Sequence, residues 1–196
     1  DATLEGLTAL GARWSQTASG VRFEAPVFSG APVTVDCRNA GTALRILTAQ
    51  AARMECAVTL TGDRSLRSRP NQPLLDALIE RGASVKSRAG QAPLLIKGPI
   101  HGGNVRLGAQ MSSQFASALV MALSMVDGPS VIVFEGEVKS RPYLELTVQT
   151  CQAFGLSTEW VTVNGNPGIS MPGGQTPKRL DYRVEGDWSS AAFMLV

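Results

Sequence analysis

The sequence predicts an α/β fold of three repeated βαβαββ units, the last one truncated, with helices buried inside and sheets outside. Two observations carry this. Segments of one kind recur at a period of seventy-odd residues, the signature of a repeat architecture. The recurring helices are also apolar on nearly every side, as in "QFASALVMALSMV", and such a helix has to be enclosed by other elements.

The repeats are legible element by element. "LTGDRSLRSRPNQPLLDALIERGASV" resembles "FEGEVKSRPYLELTVQTCQAFGLST", and their Arg-Pro pairs end at Pro70 and Pro142, 72 positions apart. The glycines that follow the next helix are Gly82 and Gly155; an earlier copy, "LEGLTALGARW", carries Gly11. A second element opens on small hydroxyl residues and turns strongly apolar: "GTALRILTAQAA", "SSQFASALVMAL" and "SSAAFMLV", starting near Thr42, Ser113 and Ser190. Between these, Pro73–Arg81 has Leu74, Leu75, Ala77 and Leu78 on one helical face, with Gly82 as the stop. Short strands are expected near Ser84–Ser87, Leu94–Lys97 and Asn104–Leu107, with "RAGQAP" as a turn. The strands "AVTLTG" and "SVIVFEG" each run into a basic loop. The chain is therefore expected to be one domain, 1–196, with repeats of about 1–70, 71–142 and 143–196. Both termini read as interrupted elements, which suggests a piece of a longer protein.

Composition bounds the function. With 44% hydrophobic residues a sizeable core is available. A net charge of +2 and 6% aromatics give neither the bulk charge nor the stacking platforms of a nucleic-acid binder. The apolar run from Phe115 to Val126 is too short to cross a membrane, and the N-terminus has no basic leader pattern. Cys37, Cys56 and Cys151 show no metal or redox spacing and read as core residues in a reduced, cytoplasmic setting. Trp14, Trp160 and Trp188 read as packing residues, His101 as structural or exposed, and Asp187 as a helix cap.

What remains is chemistry for anions. Helix starts present unsatisfied N–H groups and a partial positive charge, and Ser or Thr there either caps the helix or joins those groups in holding an anion. Such residues occur at Thr42, at Ser112–Ser113 and at Ser189–Ser190; "MSSQF" brings two hydroxyls and an amide together, more than a cap needs. "GDRSLRSRP" places three arginines on one short loop, and arginine matches phosphate and carboxylate oxygens in a bidentate way. Arg64 and Arg67 read as solvated; Arg69 and Ser140 lie beside prolines that stiffen the backbone. No paired carboxylates accompany these groups, so the pattern looks like half of an active site.

The segments "NAGTALR" (Asn39–Arg45), "LTGDRSLRSRP" (Leu60–Pro70), "SSQFASAL" (Ser112–Leu119), "SRPY" (Ser140–Tyr143) and "VEGDWSSAAF" (Val184–Phe193) resemble, in order and over nearly the whole chain, the 5-enolpyruvylshikimate-3-phosphate synthase family. The resemblance implies two similar domains of three βαβαββ units each, of which this chain matches most of one. It implies transfer of the enolpyruvyl group of phosphoenolpyruvate to the 5-hydroxyl of shikimate 3-phosphate, by addition and elimination, without metal or cofactor. By the same resemblance Ser112, Ser113, Ser140 and Tyr143 would bind shikimate 3-phosphate, and Gln114 would lie between the substrates. Arg69 would pair with phosphoenolpyruvate, the Gly41 backbone would pack against that ligand where a side chain would collide, and Asn39, Thr42 and Arg45 would support the region. The acid/base carboxylates and catalytic lysines of the family would lie in segments outside this sequence, including a second domain. No catalytic residue is assigned here, and the chain alone is expected not to turn over.

One residue separates the chain from a sibling family, and another departs from the family's own pattern. A sibling family acting on a UDP-amino sugar typically has a cysteine six residues before the loop proline, where this chain has Arg64. Ile46 stands where the family often has proline, a difference that bears on glyphosate sensitivity. The residues alone leave two other readings open: a non-catalytic anion-binding module, and a domain like those of RNA 3′-terminal phosphate cyclases, built from similar units.

Overall fold

The computed structural model describes residues 2–108, 111–138, 140–187 and 191. In chain order the elements are α1 (Ala2–Ala9), β1 (Arg13–Thr17), β2 (Gly20–Glu24), β3 (Val33–Asp36), α2 (Gly41–Ala51), β4 (Val58–Thr61), α3 (Arg64–Arg67), α4 (Gln72–Glu80), β5 (Ser84–Arg88) and β6 (Gln91–Lys97). They continue with β7 (Asn104–Gly108), α5 (Ser113–Leu123), β8 (Ser130–Glu135), α6 (Arg141–Ala153), β9 (Glu159–Val163) and β10 (Asn166–Met171). The third hydroxyl-led helix expected at Ser189–Ser190, and Trp188, lie outside the described residues. At its approach, the Ala191 N–H donates to the Asp187 carbonyl at 2.9 Å, the bond a helix-cap residue accepts.

Two four-stranded sheets share one topology. Their orders are β3-β4-β6-β5 and β7-β8-β10-β9, and in each the first pair is parallel and the others antiparallel. A parallel pair needs a crossover, which α2 supplies between β3 and β4 and α5 between β7 and β8. Alternation fixes which face turns inward: along β6, Ala92, Leu94 and Ile96 are buried while Pro93 is exposed. The sequence periods are phased differently from the sheets. Each sheet takes a strand–helix–strand from one period and a helix–strand–strand from the next, so the units cut at Pro70 and Pro142 are divided between sheets. The hairpin β1–β2 stands apart, exposed on both faces.

The helices lie inside. Along α5, Phe115 through Val120, Ala122 and Leu123 are all buried, and α5 packs along α2, whose Leu44, Leu47, Ala49 and Ala51 are buried too. Hydroxyls carried into this core are satisfied locally. Thr48 and Ser124 donate to carbonyls one turn back at 2.7 Å, and Ser117 shares a 2.7 Å hydrogen bond with Thr147 of α6.

The recurring glycines have a common cause. Gly82 sits at φ +108°, a region L side chains avoid. Its N–H donates to Ile79 and the Ala83 N–H to Leu78, which closes the orphan carbonyls of α4 in a Schellman motif. The same pair of bonds ends α1 around Gly11 and α6 around Gly155.

Two sequence expectations are corrected. The arginine run is not a loop: Asp63 caps the one-turn helix α3, its carboxylate accepting the Leu66 N–H at 2.7 Å while Leu66 is fully buried. Trp14 is not a core residue; it is 37% exposed on β1 and donates to the Thr8 hydroxyl.

Cys37 and Cys151 are buried in the core, and Cys56 is half-buried against it. Burial pushes both core thiols up from 9.0 to about 11, with Asp36 adding to the effect at Cys37. Because the folded state holds its protons longer, the thiols favour folding fully below pH 9 and progressively less as pH rises towards 11. Mass spectrometry after iodoacetamide treatment at pH 8 should therefore find Cys56 alkylated and Cys37 and Cys151 protected until the chain is unfolded. Equal labelling of all three in the folded chain would contradict the packing.

Candidate functional site

The C-terminal ends of β7 and β8 lead directly into the starts of α5 and α6. That end of an open α/β sheet is where ligands usually sit. Ser112 caps α5, its Oγ accepting the Gln114 N–H in a long 3.4 Å bond, and Ser113 is the first helical residue. Ser140 occupies the cap position of α6, yet its hydroxyl makes no bond to its own helix. Ser112, Ser113 and Ser140 line one small cavity, walled by Leu107, Phe134 and Val138. No described residue lining it carries a charge. What the described lining offers an anion is hydroxyls and two helix starts, each equivalent to roughly half a positive charge.

A second cluster forms at the corresponding end of β3 and β4. α2 begins at Gly41, and its cap position is Ala40, which offers no side-chain bond. Thr42, expected to open this helix with its hydroxyl, instead lies inside the first turn and is exposed. Glycine at 41 has a spatial reason: a Cβ there would stand 2.7 Å from Nη1 of Arg69. Arg69 leaves α3 directed at this spot. Its Nη2 donates to Asn39 Oδ1 at 2.6 Å, and its carbonyl accepts from the Asn71 amide at 3.0 Å. Arg64 and Arg67 are exposed on the outer side of α3.

Arg45 joins the two clusters. One turn into α2, its Nη1 donates to Gln114 Oε1 on α5, and its guanidinium lies 4.8 Å over the Phe115 ring. Its Nε is buried without a partner. Burial lowers its pKa from the ordinary arginine value, and the nearby Arg69 charge lowers it further. Two cations facing one another beside an uncapped helix start create a local excess of positive charge that an anion would relieve.

The structure thus brings Ser112, Ser113 and Ser140 together, and separately Asn39, Gly41 and Arg69, with Arg45 and Gln114 between them. Tyr143 stands outside: it is 64% exposed in the first turn of α6 and does not line the cavity. The Arg45–Gln114 bond spans 69 positions and had no signal in the sequence. The role of Asp63 did have one, since an Asp three residues before a buried Leu is a cap pattern. Among the described residues no cluster of His, Cys, Asp or Glu could hold a metal ion, His101 is exposed, and no helix is long and apolar enough to cross a membrane.

Comparison with known proteins shows what the chain is similar to. A family model described as EPSP synthase (3-phosphoshikimate 1-carboxyvinyltransferase) matches residues 1–196. A curated relative from Halobacterium salinarum, named 3-phosphoshikimate 1-carboxyvinyltransferase, is 39% identical over 186 residues, which is 93% of this chain and 41% of the relative. One of the same name from Methanothrix thermoacetophila is 43% identical over 182 residues, 90% of this chain and 42% of the relative. Among solved structures, the EPSP synthase of Acinetobacter baumannii superimposes with a TM-score of 0.75 at 24% identity, over 99% of this chain and 43% of that one. The chain spans less than half the length of these relatives.

Proposed function

The chain belongs to the EPSP synthase (3-phosphoshikimate 1-carboxyvinyltransferase) family, and from that premise we propose that it is the shikimate 3-phosphate-binding part of such an enzyme. The reaction moves the enolpyruvyl group of phosphoenolpyruvate to the 5-hydroxyl of shikimate 3-phosphate. The hydroxyl gives up its proton to a base as its oxygen adds to C2 of phosphoenolpyruvate, while C3 gains a proton from an acid. The tetrahedral adduct then loses inorganic phosphate and a C3 proton, restoring the double bond.

The observation that carries this reading is the meeting of the α5 and α6 starts, with Ser112, Ser113 and Ser140 on one cavity. A cradle of hydroxyls and helix-start N–H groups suits a phosphomonoester, whose oxygens accept several donors at once. Arg69, aimed past Gly41 and steadied by Asn39, suits the phosphoenolpyruvate anion. Gln114, tied to Arg45, stands between the two. Tyr143 and Thr42, both exposed, meet ligand only at the rim in this reading. Proton transfer falls to groups supplied by a second domain, so this chain binds and orients but does not turn over by itself. Three unpaired cysteines suit a reducing, cytoplasmic setting.

Calorimetric titration tests the reading. Shikimate 3-phosphate should bind the chain well above inorganic phosphate, and Ser140→Ala should weaken it about ten-fold, the worth of one hydrogen bond to a charged group. Equal affinity for both ligands would favour a general anion-binding module and sink the proposal.

A further inference from the structure

Arg141 is adjacent to Ser140 but faces away from the serine cavity. It is the first residue of α6, where a cation opposes the positive end of the helix dipole. Something else must hold it there. Its Nε donates to Glu145 Oε1 at 2.8 Å, and its guanidinium lies 4.5 Å over the Trp160 ring of β9. Trp160 in turn meets Phe134 of β8, ring centres 6.1 Å apart, and Phe134 is a wall of the serine cavity. Residues 136–138 thus run between two hollows. The serine cavity lies on one side, and on the other an open depression is lined by Gly136, Arg141, Asn166 and Pro167; Val138 borders both.

We propose that Arg141 is a positioning residue for the phosphate site: clamped between Trp160 and Glu145, it fixes the start of α6 and with it the Ser140 hydroxyl. Stacking is the specific part. An exposed ion pair one helical turn apart contributes little by itself, whereas a planar guanidinium on an indole sets both distance and tilt. The Ser140 hydroxyl is one α6 leaves unused. Arg141 therefore acts on ligand through Ser140 without touching it.

The inference rests on the shikimate 3-phosphate reading, and a double-mutant cycle on the full chain separates the two. Arg141→Gln should weaken shikimate 3-phosphate binding about five-fold in the unaltered chain and less than two-fold in the Ser140→Ala background. Arg141→Lys keeps the charge but not the planar stack, and should recover less than half of the loss. Thermal unfolding and far-UV dichroism of each variant confirm that the fold is retained; should Arg141→Gln fail to fold, the Lys variant carries the test. An equal effect with and without Ser140, full rescue by lysine, or no effect at all would each overturn the positioning role while leaving the functional reading intact. Failure of the unaltered chain to bind shikimate 3-phosphate would overturn both.

Discussion

Gly41→Ala should leave the chain as stable as before while lowering its affinity for phosphoenolpyruvate roughly 100-fold, the worth of a bidentate charged contact. The new methyl would lie 2.7 Å from Arg69 Nη1, so one of the two must yield. Arg69 yields easily, because the atom met is the tip of a long side chain. Its displacement breaks the 2.6 Å bond to Asn39, which costs about 1 kcal/mol. Alanine in the first turn of α2 returns a similar amount, since glycine in a helix is worse by about 0.5–1 kcal/mol. The terms cancel in stability but not in function, because the guanidinium no longer points at the anion. An NMR titration with phosphoenolpyruvate, at saturating shikimate 3-phosphate and following the Arg69 Nε–H, reads the affinity; thermal unfolding reads the stability. Unchanged affinity would show that Arg69 is not a ligand contact. A parallel loss of both would mean that Gly41 serves packing alone.

The same residue shows how far the sequence could be read. Local patterns were legible because their causes are local. Gly11, Gly82 and Gly155 each end a helix with the same two backbone bonds, and a stop of that kind needs nothing from elsewhere in the chain. The apolar helices α2 and α5 were legible because a helix without a polar face has only one place to go. The Thr42 hydroxyl suits a cap, yet α2 opens one residue earlier. Gly41 takes the first helical position, beside Arg69, and Thr42 falls inside the first turn and points to solvent. The arginine run has the composition of a solvated loop, but the full burial of Leu66 and the Asp63 cap turn the segment into a helix that ends just before Arg69. Arg45 and Gln114, on different helices and 69 positions apart, are joined only by the packing of α2 on α5. Local spacing carries no trace of such a pair. The serines lay at an intermediate level: their place at helix starts was readable, but that Ser140 shares a cavity with Ser112 and Ser113 depends on the parallel pairing of β7 with β8.

Gly98→Ala should destabilise the chain by about 3 kcal/mol, at the upper end of what overpacking usually costs. A Cβ there would lie 1.8 Å from the Ala52 carbonyl oxygen and 3.0 Å from that of Met54. Neither obstacle is a side chain that can swing aside. Both carbonyls already accept bonds from this strand of chain, Met54 from the Gly98 N–H at 2.8 Å and Ala52 from the Ile100 N–H at 2.9 Å. Any shift that relieves the collision therefore breaks the bonds that hold residues 98–100 against the end of α2. Ala52 is fully buried and closes that helix, so the strain falls on the core and not on a surface loop. For a domain of this size each kcal/mol lowers the melting temperature by about 2–4 °C, which puts the expected drop near 6–12 °C. Urea unfolding should show a lower midpoint with an unchanged slope, as expected when stability alone is altered. A melting temperature within a degree of the unaltered chain would show that the backbone there can give way. Against Gly41→Ala the contrast is sharp: one added methyl meets a movable cation and removes a function, the other meets two engaged carbonyls at the far end of the same helix and removes stability.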